Sequence, residues 1–188
     1  MLIAGVDEAG RGPLAGPVTV AAVILKTIPA GLDDSKKLTA KKRAALYPLI
    51  MDSALCWSIT HISCADIDRM NILKATLWGM QQVVQQLKYR PDEVLVDGNQ
   101  VPDVSMLCRA IVGGDGLEPC ISAASVLAKE SRDRLMLKLH QDYPHYGFDR
   151  HKGYPTAAHI AALQQWGPCP QHRLSFAPVR KYQQQEIF

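Results

Sequence analysis

The sequence predicts an α/β fold in which a sheet is covered by helices. Two branched apolar runs, Leu2 to Val6 and Val18 to Leu25, flank the breaker Gly10-Arg11-Gly12-Pro13, which reads as two strands joined by a glycine-rich loop. Further on, short apolar runs that end beside an acid and a glycine alternate with helical patterns, the order expected of strands connected through helices. At 188 residues, with 47% hydrophobic and 21% charged residues, the chain is long enough to bury roughly two-thirds of its unfolded surface around one core. The expectation is a single domain over residues 1–188.

The first strand is rich in branched apolar residues, and the second lacks clean alternation, which suggests cover on both faces. After the loop Asp33-Asp34-Ser35-Lys36-Lys37, Thr39 can cap a helix through Leu46 and Leu49, with Pro48 kinking or redirecting it. Ala54 to Ser63 reads as a strand. Ala65 to Leu87 carries the longest helical stripe, Ile67, Met70, Leu73, Leu77, Met80, Val84 and Leu87 among it, and its Met residues and Trp78 read as core filling. Glu93 to Asp97 is a short strand that closes on Gly98-Asn99, and Ala110-Ile111-Val112 runs into Gly113-Gly114-Asp115-Gly116. A helix is expected from Ser122 towards Gln141, with Lys129 to Asp133 and Glu130 to Arg134 one turn apart, and Pro144 ends it. Thr156 to Trp166 reads as a last helix, followed by a polar tail beyond Pro178 that closes on Ile187-Phe188.

Composition restricts function only loosely. The net charge of +3 fits nucleic acid without requiring it. Lys41, Lys42 and Arg43 read most simply as a solvated helix face, and Arg173, Arg180 and Lys181 form a looser basic group. Cys56, Cys64, Cys108, Cys120 and Cys169 lack CxxC spacing, which points to buried thiols in a reducing compartment and away from a zinc site. The opening residues reach carboxylates before any apolar run is long enough for a signal peptide or a membrane span. A cytoplasmic protein with no membrane association is the expectation.

The chemistry lies in the acids. Asp7 and Glu8 follow apolar residues, so two adjacent anions leave a buried strand together, an arrangement that costs stability unless a cation compensates. Neighbouring side chains in a strand face opposite ways, so both serve one site only if the strand ends there. Asp97 and Asp115 are two more acids at the ends of apolar runs. A single such Asp is usually a turn residue, but recurrence in one small α/β chain points to an oxygen-ligand site for Mg²⁺ or Mn²⁺ and to phosphoryl transfer.

Motifs make the reading specific. Asp7-Glu8-Ala9-Gly10-Arg11-Gly12-Pro13, Asp34-Ser35-Lys36-Lys37-Leu38, Val96-Asp97-Gly98-Asn99, Ile121 to Lys129, His151-Lys152-Gly153-Tyr154-Pro155-Thr156, His172-Arg173 and Ser175-Phe176 occur in this order along nearly the whole chain. In this ordered series the chain resembles bacterial ribonuclease HII. The resemblance implies a ribonuclease H-like fold, a mixed central sheet flanked by helices, with a helical substrate-binding extension over roughly residues 140–180 and a flexible tail over 181–188. It implies that Asp7, Glu8, Asp97 and Asp115 bind two divalent ions, Mn²⁺ or Mg²⁺, and cut RNA in RNA–DNA hybrids, or 5′ of a single ribonucleotide in duplex DNA. The products would carry a 3′-hydroxyl and a 5′-phosphate.

Gly10-Arg11-Gly12 and Tyr154 would recognise the RNA-to-DNA junction, the glycines admitting close backbone approach to the 2′-hydroxyl. Lys36, Asn99, Ser125, Lys129, Lys152, His172 and Arg173 are the remaining candidates for substrate contact, the basic ones to phosphates. Three segments depart from the family pattern, at Gly116 to Cys120, at Glu130 and at Leu174, and these touch the binding rim. Gln184, Ile187 and Phe188 resemble a peptide that docks in a bacterial sliding clamp, and a monomer is expected. The competing readings are another two-metal nuclease or integrase-like transferase of the same fold, and an inactive RNA–DNA binding module.

Overall fold

The computed structural model describes residues 1–32 and 38–183. Five strands, β1 (Ile3–Ala9), β2 (Val18–Leu25), β3 (Ala54–Ile62), β4 (Glu93–Asp97) and β5 (Leu107–Ile111), form one sheet in the order β3-β2-β1-β4-β5. β1 runs antiparallel to β2 and β2 to β3, while β1, β4 and β5 are mutually parallel, so the sheet is mixed as expected. The parallel strands end on one edge, and the register Val6 to Val96 sets Asp7 beside Asp97.

Helices cover both faces. On one side, α3 (Ile72–Gln85) presents Met80, Val83 and Val84 to Val6, Val20, Ala22, Val94 and Val96. On the other, α1 (Ala40–Ser53) and α4 (Pro119–Asp142) pack Leu46, Ile50, Ala123, Ala124 and Leu127 against Ala21 and Val23. β2 therefore gives alternate residues to two cores, which explains why its sequence shows no polar face. The start of α4 approaches β1 so closely that a Cβ on Gly5 would lie 2.1 Å from the Cys120 carbonyl carbon. Glycine at position 5 and the small residues Ser122, Ala123, Ala124 and Ser125 are what permit that approach.

Most predicted elements are present, with three differences. The stripe predicted as one helix over 65–87 is two, α2 (Cys64–Met70) and α3, divided at Asn71 with φ 74°. Apolar periodicity continues across the break and hides it. Asn71 takes a positive φ that few residues other than glycine adopt, and its side chain caps α3 by accepting from Lys74 N at 3.0 Å. α4 begins at Pro119, three residues before Ser122, because proline suits the first helical turn. After α5 (Phe148–His151) and α6 (Ala157–Trp166), α7 (Ala177–Gln183) takes residues 181–183 into a helix that the sequence reading left to the tail. Pro48 lies within α1, which continues to Ser53.

Candidate metal centre

Three carboxylates meet at the carboxyl edge of the parallel strands. Asp7 lies near the end of β1, Asp97 closes β4, and Asp115 sits in the 3₁₀ turn Gly114–Gly116 that follows β5. One oxygen from each can be chosen so that all lie within 4.8 Å of one another. The Asp115 amide donates to Asp97 Oδ1 at 3.4 Å, and the Ser122 hydroxyl donates to the Asp115 carbonyl, tying the turn to the start of α4. Asp7 Oδ1 accepts from the Glu8 amide at 2.7 Å, and Ser125 on α4 hydrogen-bonds the Asp7 carboxylate.

Burial pushes the Asp7 carboxyl well above the usual carboxylate range, and the neighbouring negative charges of Glu8 and Asp97 push it further. The cluster concentrates negative charge where water solvates it poorly, which is the setting a divalent cation compensates. Glu8 is also raised by burial, opposed by the Arg11 cation 3.6 Å away. Its Oε2 is buried without a hydrogen-bond partner among the described residues. An all-oxygen donor set with an orphaned carboxylate oxygen beside it fits a hard divalent ion.

Glu8 stands apart from the other three acids, and the reason is local. β1 continues to Ala9 instead of ending at Asp7, so pleat alternation separates Asp7 from Glu8. Both nevertheless line one cavity of about 490 Å³, with Gly10, Arg11, Gly12, Arg43, Asp97, Ser125, Lys129 and Tyr154. The glycine loop and Tyr154, predicted from distant parts of the chain, thus share a wall. An ideal Cβ on Gly12 would stand 3.7 Å from Tyr154 Cε1. A cleft of about 550 Å³ elsewhere, lined by His140, His145 and His151, offers Asp149 as its one carboxylate and no comparable ligand set.

The other candidates divide. Lys129 reaches the cavity and donates to Asp133 Oδ1 at 2.8 Å, the pairing expected from its spacing. The sequence pattern places Arg43 on a solvated face, but it lines the cavity, donating to the Leu38 carbonyl at 2.9 Å and lying 3.3 Å from Asp133 Oδ2. Asp133 therefore holds two cations at the rim, and no local spacing linked positions 43 and 133. Asn99 is exposed beyond β4, outside the residues lining the cavity. Lys152 donates to the Asp149 carbonyl and also lies outside that lining. Lys36 and the tail residues Gln184, Ile187 and Phe188 lie outside the described residues.

His172 and Arg173 require correction as direct substrate contacts. His172 is 1% exposed and Arg173 0%, so neither side chain has surface to offer a phosphate. His172 Nδ1 accepts from the Cys169 amide at 3.0 Å, which leaves its Nε2 as the donor to His159 Nε2, also at 3.0 Å. His159 in turn donates from Nδ1 to the Tyr154 carbonyl at 2.9 Å. This chain of bonds requires both rings neutral. Burial holds His172 down at about 3 and His159 at about 4, well below the ordinary imidazole value.

The chain is similar in sequence and in fold to known proteins. The sequence model of the family described as Ribonuclease HII matches residues 4–179. A ribonuclease HII of Polaromonas sp. (strain JS666 / ATCC BAA-500) is 56% identical over 180 residues, covering 95% of this chain and 90% of that one. A ribonuclease HII of Dechloromonas aromatica (strain RCB) is 54% identical over 182 residues, 96% and 93% of the two chains. Among solved structures, the ribonuclease H2 from Pyrococcus horikoshii OT3 superimposes with a TM-score of 0.83 at 28% identity, covering 98% of each chain.

Proposed function

Because the chain belongs to the ribonuclease HII family, we propose that its acidic cluster works with two divalent ions, Mg²⁺ or Mn²⁺, and that the adjoining loop and tyrosine select the ribonucleotide. The protein is an endonuclease that hydrolyses the RNA strand of RNA–DNA duplexes and cuts at ribonucleotides embedded in DNA. The observation that carries the finer reading is one cavity shared by Asp7, Asp97, the Gly10-Arg11-Gly12 loop and Tyr154, with Asp115 completing the carboxylate cluster.

Asp7, Asp97 and Asp115 would hold the ions, with Glu8 supplying its free oxygen from the adjacent strand position. Bound there, divalent ions supply a water of lowered pKa and positive charge for the phosphorane and the leaving 3′ oxygen. The residues of the chain do the positioning. Lys129 and Arg43 put positive charge at the rim, where the strand backbone must pass, and contribute salt-dependent affinity without reading sequence. The Gly10-Arg11-Gly12 backbone can approach a sugar closely enough to address its 2′-hydroxyl, the group that separates RNA from DNA. Tyr154, 40% exposed, offers a ring face to the next sugar, against which an additional hydroxyl would fit poorly.

The test is incubation of the purified protein with duplex DNA containing one ribonucleotide, with Mg²⁺ or Mn²⁺, beside an all-DNA control. A cut on the 5′ side of the ribonucleotide, leaving a 3′-hydroxyl, is expected. Equal cutting of the control would contradict ribonucleotide selection and favour a general two-metal nuclease. A sliding-clamp contact through Gln184, Ile187 and Phe188 is part of the same proposal, supported by the apolar pair that closes an otherwise polar tail. Unchanged clamp binding after removal of Ile187 and Phe188 would rule that contact out.

A further inference from the structure

Two arginines lie wholly buried behind the cavity, Arg132 on α4 and Arg173 near the end of the chain, each 0% exposed. Neither forms an ion pair with a carboxylate among the described residues. Every nitrogen of both guanidinium groups instead donates to a backbone carbonyl. Arg173 takes Gly16 from Nε at 3.0 Å, Arg11 from Nη1 at 2.8 Å and Gly10 from Nη2 at 2.5 Å. Arg132 takes Pro17 from Nε at 2.9 Å, Lys152 from Nη1 at 2.9 Å and Ala15 from Nη2 at 3.0 Å.

A buried cation is costly, and three carbonyl dipoles are the compensation that each fork collects. Arg173 takes all three of its carbonyls from the loop 10–17, whereas Arg132 takes two from that loop and one, Lys152, from the turn that leads into Tyr154. The Leu14 amide donates to the Gly153 carbonyl at 2.8 Å, and the Arg173 amide to the Leu14 carbonyl at 2.8 Å. The fit is tight: a Cβ on Gly10 would stand 2.0 Å from Arg132 Nε, and one on Gly153 2.4 Å from the Ala15 carbonyl oxygen. All peptide bonds among the described residues are trans, so fixing the Gly10 and Arg11 carbonyls towards Arg173 turns the Arg11 and Gly12 amides the opposite way.

Resting on the assignment of Gly10-Arg11-Gly12 and Tyr154 as the two sugar readers, we infer that Arg173, which fixes the loop, and Arg132, which ties that loop to the Tyr154 turn, are positioning residues that hold the readers at their separation and so determine junction specificity. A ribonucleotide followed by a deoxynucleotide needs both readers at a fixed separation. In a continuous RNA strand the following sugar carries a hydroxyl that fits Tyr154 poorly, so this substrate draws less on the spacing. Loosening the clamp therefore costs the junction substrate more than the continuous hybrid.

The experiment compares kcat/KM on duplex DNA with one ribonucleotide and on a continuous RNA–DNA hybrid, for wild type and for Arg173→Lys. Lysine keeps the charge but cannot span three carbonyls with a planar fork. Thermal melting confirms folding, and Mn²⁺ titration monitors the acids. The expected result is a fall in the junction-to-hybrid ratio of roughly tenfold or more, since displacements near 1 Å cost up to ~10²-fold, with Mn²⁺ affinity retained. A merely structural role would lower both activities together and leave the ratio at its wild-type value, which overturns the inference.

Gly153→Ala displaces the Tyr154 turn from Ala15 without removing an arginine, and it carries the same test should Arg173→Lys fail to fold. An unchanged ratio in that variant is equally fatal. A wild-type protein that cuts neither substrate overturns the functional reading and this inference with it. A wild type that cuts both, with variants that keep the ratio, overturns the inference alone.

Discussion

At the carboxyl edge of the sheet, Asp7, Asp97 and Asp115 gather negative charge within 4.8 Å, and burial and mutual repulsion push Asp7 towards its protonated form. Behind the same cavity, His159, His172, Arg132 and Arg173 are buried just as deeply, yet hydrogen bonds to backbone or to each other engage every one. The first region leaves charge for a ligand to neutralise. The second uses polar groups to fix shape. Burial of a titratable residue therefore accompanies two roles in this molecule, a charge cluster at the sheet edge and a set of shape-fixing hydrogen bonds behind it.

Breaking the first region should have the largest effect on activity. Asp7→Asn removes a ligand and should reduce ribonucleotide cleavage by more than the ~10–100-fold typical of losing an outer partner of a metal. Steady-state turnover measures this, and near-normal turnover would refute the role of Asp7. The melting temperature of the metal-free variant should stay at or above that of wild type, because an uncompensated anion has been removed.

Packing beneath the site comes next. Gly5→Ala forces a Cβ against the Cys120 backbone, displacing α4 and with it Ser125 from Asp7. A loss of at least the ~1–3 kcal/mol of ordinary overpacking is expected in chemical denaturation. Wild-type stability would contradict the close approach of β1 and α4.

The second region responds to pH. His172 and His159 are held at about 3 and about 4 in the folded protein, below the ordinary 6.5 expected of the unfolded chain. Folding keeps both rings neutral, so their contribution is complete above pH 6.5. As the pH falls below 6.5 the unfolded state takes up protons that the folded state refuses, and stability declines towards pH 3. The denaturation midpoint should fall from pH 7 to pH 5, and replacing His172 with Phe should flatten part of that slope. The smallest effect is expected at the helix break, where Asn71→Ala should cost about 1–2 kcal/mol through loss of the cap and of a residue that accepts φ 74°. Asn71→Gly should cost less.

The same contrast explains what the sequence could convey. Strands running into Asp7, Asp97 and Asp115 were readable because apolar runs that end in acids leave a local pattern, and ordered motifs joined them to the glycine loop and Tyr154. The sheet's mixed topology and the C-terminal helices followed from the family resemblance. Asp7 and Glu8 line one cavity although β1 runs on to Ala9, which the condition that the strand must end at these acids did not foresee. His172 and Arg173 read as substrate contacts because they lie in a family-like segment and Arg173 is basic, whereas the acceptors that bury Arg173 lie as far away as Gly10 and Gly16. Arg43 and Arg132 were missed for the same reason, since only tertiary packing brings Asp133 to one and the loop carbonyls to the other.

Isothermal titration of Mn²⁺ into the wild-type protein and into Asp97→Asn, at neutral pH, tests the central claim most directly. The acidic edge of the sheet should bind the ion in wild type, with affinity largely lost in the variant while its circular dichroism is unchanged. Equal binding by both proteins, or none by wild type in the presence of substrate duplex, would contradict the assignment of this cluster as the metal centre.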